Sequence, residues 1–197
     1  MVELDAVILA AGLSRRMGRN KLLLPFGGST VIGRFLTNFP YGLFAQVIVV
    51  IADQSVDEIA RSFPVQICRN EHPEEGKSSS IRLGLEAGES QRGILFSVAD
   101  QPLLTGATIM KLVEVFRNNP SRIVLPKVGG TSASPVIFPA DLRIDLQKLQ
   151  GDEGGRKVIQ NHFERKLAVD FSSPDEFYDI DTDDNYQDIL RRWKKSH

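Results

Sequence analysis

The sequence predicts an α/β fold, a three-layer, doubly wound domain built on a mostly parallel sheet. Two observations carry this. Short apolar runs rich in β-branched residues alternate with longer amphipathic stretches, and residues suited to holding ligands gather just after the runs. Apolar runs without strict polar alternation belong to strands covered on both faces. Such runs lie at residues 6–10, 47–51, 65–67 and 94–98. The stretches between them, 30–39, 55–63, 78–89 and 105–118, read as helices. A strand–helix–strand order of this kind makes parallel neighbours through crossover helices. Beyond Pro120 the pattern loosens. Strands are expected at 123–125, 135–138 and 167–169, and helices at 141–149, 153–161 and 183–193. No repeat, low-complexity tract or long linker interrupts the chain, so residues 1–197 are expected to form one domain.

Composition narrows the function classes. Hydrophobic residues make up 42% and charged residues 25%, ordinary globular values. With 24 basic and 25 acidic residues the chain lacks the basic excess of a non-specific nucleic-acid binder, so no nucleic-acid partner is expected. A local basic site for a small anion is compatible with that balance. Cys68 is the sole cysteine, and His72, His162 and His197 have no zinc-site spacing around it. The opening Val2-Glu3-Leu4-Asp5 has no basic-then-apolar leader pattern, and no apolar run approaches membrane-spanning length. The expected compartment is the cytoplasm, away from membranes.

In open α/β sheets ligands bind beyond the carboxyl ends of the strands. The first such place is Ala10-Ala11-Gly12-Leu13-Ser14-Arg15-Arg16-Met17-Gly18-Arg19-Asn20-Lys21. Glycines let backbone N–H groups approach phosphate oxygens, arginine grips phosphate bidentately, and lysine acts as a point charge. The glycine spacing is not a dinucleotide fingerprint. Gly76-Lys77-Ser78 is not a P-loop either, because Glu71 stands where the upstream glycine belongs. A basic surface loop with turn glycines is the alternative reading. Residues 8–25 resemble the signature of the MobA-like NTP transferase family, and within it the molybdenum cofactor cytidylyltransferase (MocA) branch. The resemblance implies a nucleotide-diphospho-sugar transferase-like (Rossmann-like) fold. It also implies an NTP site at Ala10, Ala11, Gly12, Ser14, Arg16 and Lys21, with Arg15 and Arg19 off the pattern and solvated.

Three further stretches extend the reading. Gly76-Lys77-Ser78-Ser79-Ser80 opens a helix whose serines suit N-capping; the family's second motif lies here and implies a nucleotide contact from Ser79 or Ser80. Asp100-Gln101-Pro102 ends an apolar strand. An Asp there either ligates magnesium or bonds the turn backbone, and the family's metal motif favours the first. Asp179-Ile180-Asp181-Thr182 resembles the motif in which the second acid completes the metal site, which makes Asp181 the partner of Asp100. Asp183 and Asp184 suit the start of the last helix, with Thr182 or Asp183 as its cap. Gly151-Asp152-Glu153-Gly154 resembles an acceptor-side turn, or is a helix cap at Asp152. Ser134 departs from the family, which usually carries a histidine there.

What the resemblance implies is a Mg²⁺-dependent nucleotidyltransferase. A phosphate monoester loses its second proton near pKa ~6, so an acceptor phosphate attacks the α-phosphate without a general base. Catalysis then rests on positioning and charge neutralisation. Arg16, Lys21 and Asp100 are the expected catalytic residues. CTP is the favoured donor, because the Ala11 methyl crowds a purine more than a pyrimidine. Molybdopterin is the implied acceptor, with a molybdoenzyme or its chaperone as possible partner. A sugar or alditol phosphate, GTP, or a non-catalytic nucleotide-binding role are the alternatives. Two carboxylates at one sheet edge repel unless a cation lies between them. Arg16 and Lys21, being loop residues, are expected to matter little for stability.

Overall fold

The computed structural model describes residues 3–196, so Met1, Val2 and His197 fall outside it. The elements in chain order are β1 (Leu4–Ala10), β2 (Pro25–Phe26), β3 (Ser29–Thr30), α1 (Val31–Asn38), β4 (Gln46–Ile51), α2 (Gln54–Ala60), β5 (Gln66–Arg69), α3 (Lys77–Ala87), β6 (Gly93–Val98), α4 (Gly106–Asn118), β7 (Ile123–Val128), β8 (Thr131–Ser132), β9 (Val136–Phe138), α5 (Arg143–Gln147), α6 (Gly155–Asn161), β10 (Lys166–Phe171) and α7 (Asp183–Ser196). The main sheet runs β10-β7-β9-β6-β1-β4-β5, with β8 paired to β7. Neighbours are parallel except for β9, which is antiparallel to both β6 and β7, and β8.

Successive side chains of a strand point to opposite faces, and both faces here are covered. Ala6, Ile8 and Ala10 of β1 join Val49, Phe35, Val56 and Phe116 in one core beneath α1, α2, α4 and α7. Val7 joins Ile48, Phe96, Ile81 and Leu146 in a second core beneath α3, α5 and α6. That is the expected three-layer arrangement. The α3 helix lies so close to β1 that a Cβ on Gly84 would overlap the Val7 methyls.

Several boundaries differ from the sequence expectation. Thr30 and Thr105 are caps, their hydroxyls accepting from Gly33 N and Thr108 N, so α1 and α4 start one residue later than expected. The expected helix at 141–149 splits into a tight turn at Ala140–Leu142 and α5. The α6 helix begins at Gly155 because Gly154 is extended, and Gly154, not Asp152, is its cap position. Thr182 caps α7, its hydroxyl accepting from Asn185 N at 3.2 Å.

The chain builds β1, β4 and β5 outward in one direction, then returns past β1 to lay β6 on its other side. The crevice of a doubly wound sheet opens at such a reversal. Leu9 pairs with Val98 there, so the 11–20 loop and Asp100 leave the sheet side by side.

Candidate functional site

The 11–20 loop is held by its own polar atoms. Ser14 takes a positive φ of 48°; its carbonyl accepts from Met17 N at 3.0 Å and its hydroxyl from Lys21 N at 3.2 Å. Asn20 accepts from Leu22 N and donates to Asp53 Oδ2, each at 3.0 Å, which ties the turn carrying Lys21 to the end of β4. Arg15 is exposed, and Arg19 pairs with Asp183 on the surface, both more than half exposed.

Lys21 reaches back over the sheet edge. Its ammonium ion-pairs with Asp100 Oδ2 and lies 3.3 Å from Asp181 Oδ1. The Lys21 and Asp100 side chains are each only 14% exposed. Asp181 also accepts from Arg16 at 3.0 Å, in a more open pair with side chains 70% and 40% exposed. The structure therefore brings together Arg16, Lys21, Asp100 and Asp181. Burial pulls the Lys21 ammonium down, but Asp100 and then Asp181 outweigh it, and its pKa ends above the ordinary lysine value. The alternative for Asp100, a brace for its own turn, does not hold. Its Oδ2 is on Lys21, and its Oδ1 is buried without a hydrogen-bond partner.

The sequence reading missed Asp179. It points into the same cluster, accepting from Gln101 Nε2 at 2.8 Å. Its carboxyl is pushed up to about 6, first by burial and then by the Asp100 charge. Gln101, itself buried, also donates to the Phe177 carbonyl at 3.2 Å, and Ile180 N donates to the Asp100 carbonyl at 3.1 Å. These bonds place the 177–181 segment against the end of β6. Residues two apart in an extended segment share a face, and Asp179 and Asp181 accordingly line the same cavity.

The serines of α3 do not cap it. Gly76, at φ 93°, occupies the cap position, and a Cβ there would overlap the Gly151 carbonyl. Ser79 and Ser80 are buried instead and bond to Asn70, at the end of β5.

Two adjoining cavities open along this edge. The smaller, about 490 Å³, is lined by the 9–16 stretch, Lys21, Ser80, Asp100 and Asp181. Ala10, Ala11, Gly12, Ser14 and Arg16 thus all face it, whereas Ser79 does not. The larger, about 1000 Å³, has apolar walls from Phe96, Phe138 and Phe163, with Lys166 and Arg156 among its cations and Ser134 on its lining. Lys77, Asp152 and Asp179 line both. A basic loop and carboxylates at a topological switch point suit a polyphosphate ligand with a divalent cation. Asp100 and Asp181 are hard oxygen donors of the kind Mg²⁺ takes, and the unpartnered Asp100 Oδ1 fits such a role.

This fold and site define a nucleotide-binding α/β protein, and sequence comparison specifies it further. Residues 6–166 match the MobA-like NTP transferase domain, and the chain belongs to that family of nucleotidyltransferases. It is 28% identical over 203 aligned residues to the purine catabolism protein PucB of Bacillus subtilis, covering 96% of each chain. It is 30% identical over 161 residues to a probable molybdenum cofactor guanylyltransferase of Mycobacterium tuberculosis, covering 80% of this chain and 78% of that one. The crystal structure of Rv0371c from M. tuberculosis in complex with manganese is similar at 25% identity and a TM-score of 0.77, covering 96% of this chain and 99% of that one. Among the described residues no helix is long and apolar enough to cross a membrane.

Proposed function

We propose that this chain transfers CMP from CTP to the phosphate of molybdopterin, releasing pyrophosphate, as a single cytoplasmic domain acting with Mg²⁺. The observation that carries the reading is the junction of the two cavities. A small, polar cavity holding Arg16, Lys21, Asp100 and Asp181 adjoins a larger one with aromatic walls and scattered cations. Triphosphate fits the first, and a phosphorylated ring compound fits the second. An oxygen of the acceptor phosphate attacks the α-phosphorus, and the bond from the α-phosphorus to the bridging oxygen breaks.

Arg16 and Lys21 bind the triphosphate and take up the charge that grows on the leaving pyrophosphate. Asp100 and Asp181 would hold the Mg²⁺, which would supply charge neutralisation at the phosphates. Lys21 stands between these carboxylates, where its ammonium can also reach a triphosphate bound beside them. The manganese complex of Rv0371c supports a divalent ion in this fold. Ala11, buried beside Gly12 on the cavity wall, supports CTP over GTP. The guanylyltransferase relative supports the opposite donor, so the assay runs both. Pyrophosphate release is measured with CTP or GTP, with molybdopterin or a sugar or alditol phosphate, in Mg²⁺ or in chelator. CTP with molybdopterin and Mg²⁺ gives the fastest release. Equal or faster turnover of GTP rejects the base assignment, and faster release with a sugar or alditol phosphate rejects the acceptor.

A further inference from the structure

Asn70 sits at the end of β5, 3% exposed, with both side-chain polar atoms in hydrogen bonds. His72 N lies 2.9 Å from its Oδ1. A backbone N–H can only donate, so the oxygen must face it, and the orientation of the amide is settled. Nδ2 then faces Ser79 Oγ and Ser80 Oγ, each at 2.9 Å. An amide NH₂ cannot accept, so both hydroxyl oxygens do. Ser79 gives its own proton to the Gly76 carbonyl at 2.8 Å. Ser80 has no such acceptor among the described residues. It is more than nine-tenths buried and lines the smaller cavity on the wall with Pro73, Glu74, Gly76 and Lys77, apart from the loop that carries Arg15, Arg16 and Lys21.

We propose that Asn70 is a positioning residue for the nucleoside half of the NTP. By donating to Ser80 Oγ it leaves the Ser80 O–H as a hydrogen-bond donor into the cavity, matched to an acceptor atom on the ribose or base. This rests on the smaller cavity being the NTP site. Exchanging the amide for the isosteric carboxylate reverses the logic. Asn70→Asp puts an acceptor there, which captures the Ser80 proton and turns toward the nucleoside a hydroxyl that no longer donates.

The test is direct binding by calorimetry, without acceptor, of CTP, GTP and inorganic tripolyphosphate in Mg²⁺, to wild type, Ser80→Ala, Asn70→Asp and the double variant. Loss of one satisfied hydrogen bond corresponds to roughly tenfold in affinity. Ser80→Ala and Asn70→Asp are each expected to weaken the better-bound nucleotide by about that factor, and the double variant by little more, because both remove the same donor. Tripolyphosphate binds all four proteins alike. If Asn70→Asp does not fold, Asn70→Ala is measured instead; it leaves the Ser80 proton uncaptured and is expected to weaken the nucleotide by less than Ser80→Ala, and an equal or larger loss overturns the inference. Unchanged nucleotide affinity in Ser80→Ala, additive losses, or a parallel loss for tripolyphosphate each overturn the inference alone. A wild type that binds tripolyphosphate but neither nucleotide overturns the NTP site itself, and this inference with it.

Discussion

Lys21 is one ammonium among the Asp100, Asp179 and Asp181 carboxylates, and two predictions follow from that imbalance. From its loop position alone, Lys21→Ala would be expected to leave stability unchanged. The structure reverses this, because a pair only 14% exposed on each side loses one member and strands the other carboxylate. Lys21→Ala is expected to lower stability by roughly 1–3 kcal/mol, whereas Arg16→Ala, on the open side, changes it by less than about 0.5 kcal/mol. Denaturant midpoints of the two variants check this, and equal midpoints would show that the inner pair contributes nothing. Asp179 sets the second prediction. Its carboxyl titrates at about 6 in the native protein against an ordinary value of 3.8. Between those values the native state binds more protons than the unfolded one, so this group's contribution is present at low pH and is lost as pH rises through about 6. Asp179→Asn keeps an acceptor for Gln101 and removes the titration. Without metal, it is expected to be more stable than wild type by about 2 kcal/mol at pH 7 and nearly equal to it at pH 4. A stability difference that does not change with pH refutes the assignment.

At the scale of elements, the acidic segment is held from outside the site. Glu176 Oε2 accepts from Thr105 N at 3.0 Å, Thr105 Oγ1 at 2.8 Å and Thr108 Oγ1 at 2.7 Å, so it sits on the N-terminus of α4. A carboxylate there is favoured both by the orphan N–H groups and by the helix dipole. Glu176→Ala is expected to cost about 1–3 kcal/mol and also to slow pyrophosphate release, since residues 177–181 lose an anchor next to Asp179 and Asp181. Stability lost with turnover intact would show that the Gln101 bonds alone hold the segment. On the opposite layer, Gly84→Ala forces a methyl against Val7, and overpacking of this kind costs about 1–3 kcal/mol. Thermal unfolding of that variant reads the contact between α3 and β1 directly.

For the whole molecule, the site exists because the sheet reverses direction between β1 and β6. The 11–20 loop, Asp100 and the segment before α7 come from distant parts of the chain and meet only at that edge. Ligand binding should therefore stabilise the entire fold. At a concentration about 100 times its dissociation constant, NTP with Mg²⁺ adds about 2.7 kcal/mol, or roughly 5–10 °C in Tm for a chain of this size. Under the proposed metal site, chelation is expected to remove most of the shift and Asp100→Asn to abolish the metal-dependent part. A shift that survives both treatments would place the cation elsewhere.

The sequence by itself determined the layers and singled out the loop after β1. Strands such as 47–51 and 94–98 are apolar on both faces, and that pattern has one solution, a sheet covered by helices. The glycines and cations after β1 pointed to an anion site because such residues suit a loop that wraps phosphate, while a basic surface loop stayed the other reading. The antiparallel β9 was not legible, since strand direction depends on where the chain returns and not on side-chain pattern. Nor were the roles of Asn70, Gln101 and Asp179. Each is an ordinary polar residue whose meaning comes from partners between 9 and 78 positions away. Whether Asp100 faced its own turn or Lys21 was likewise open in the sequence. The tertiary structure decided it, because only the folded sheet edge buries that carboxylate beside an ammonium and makes the pairing worth more than a bond to the nearest backbone.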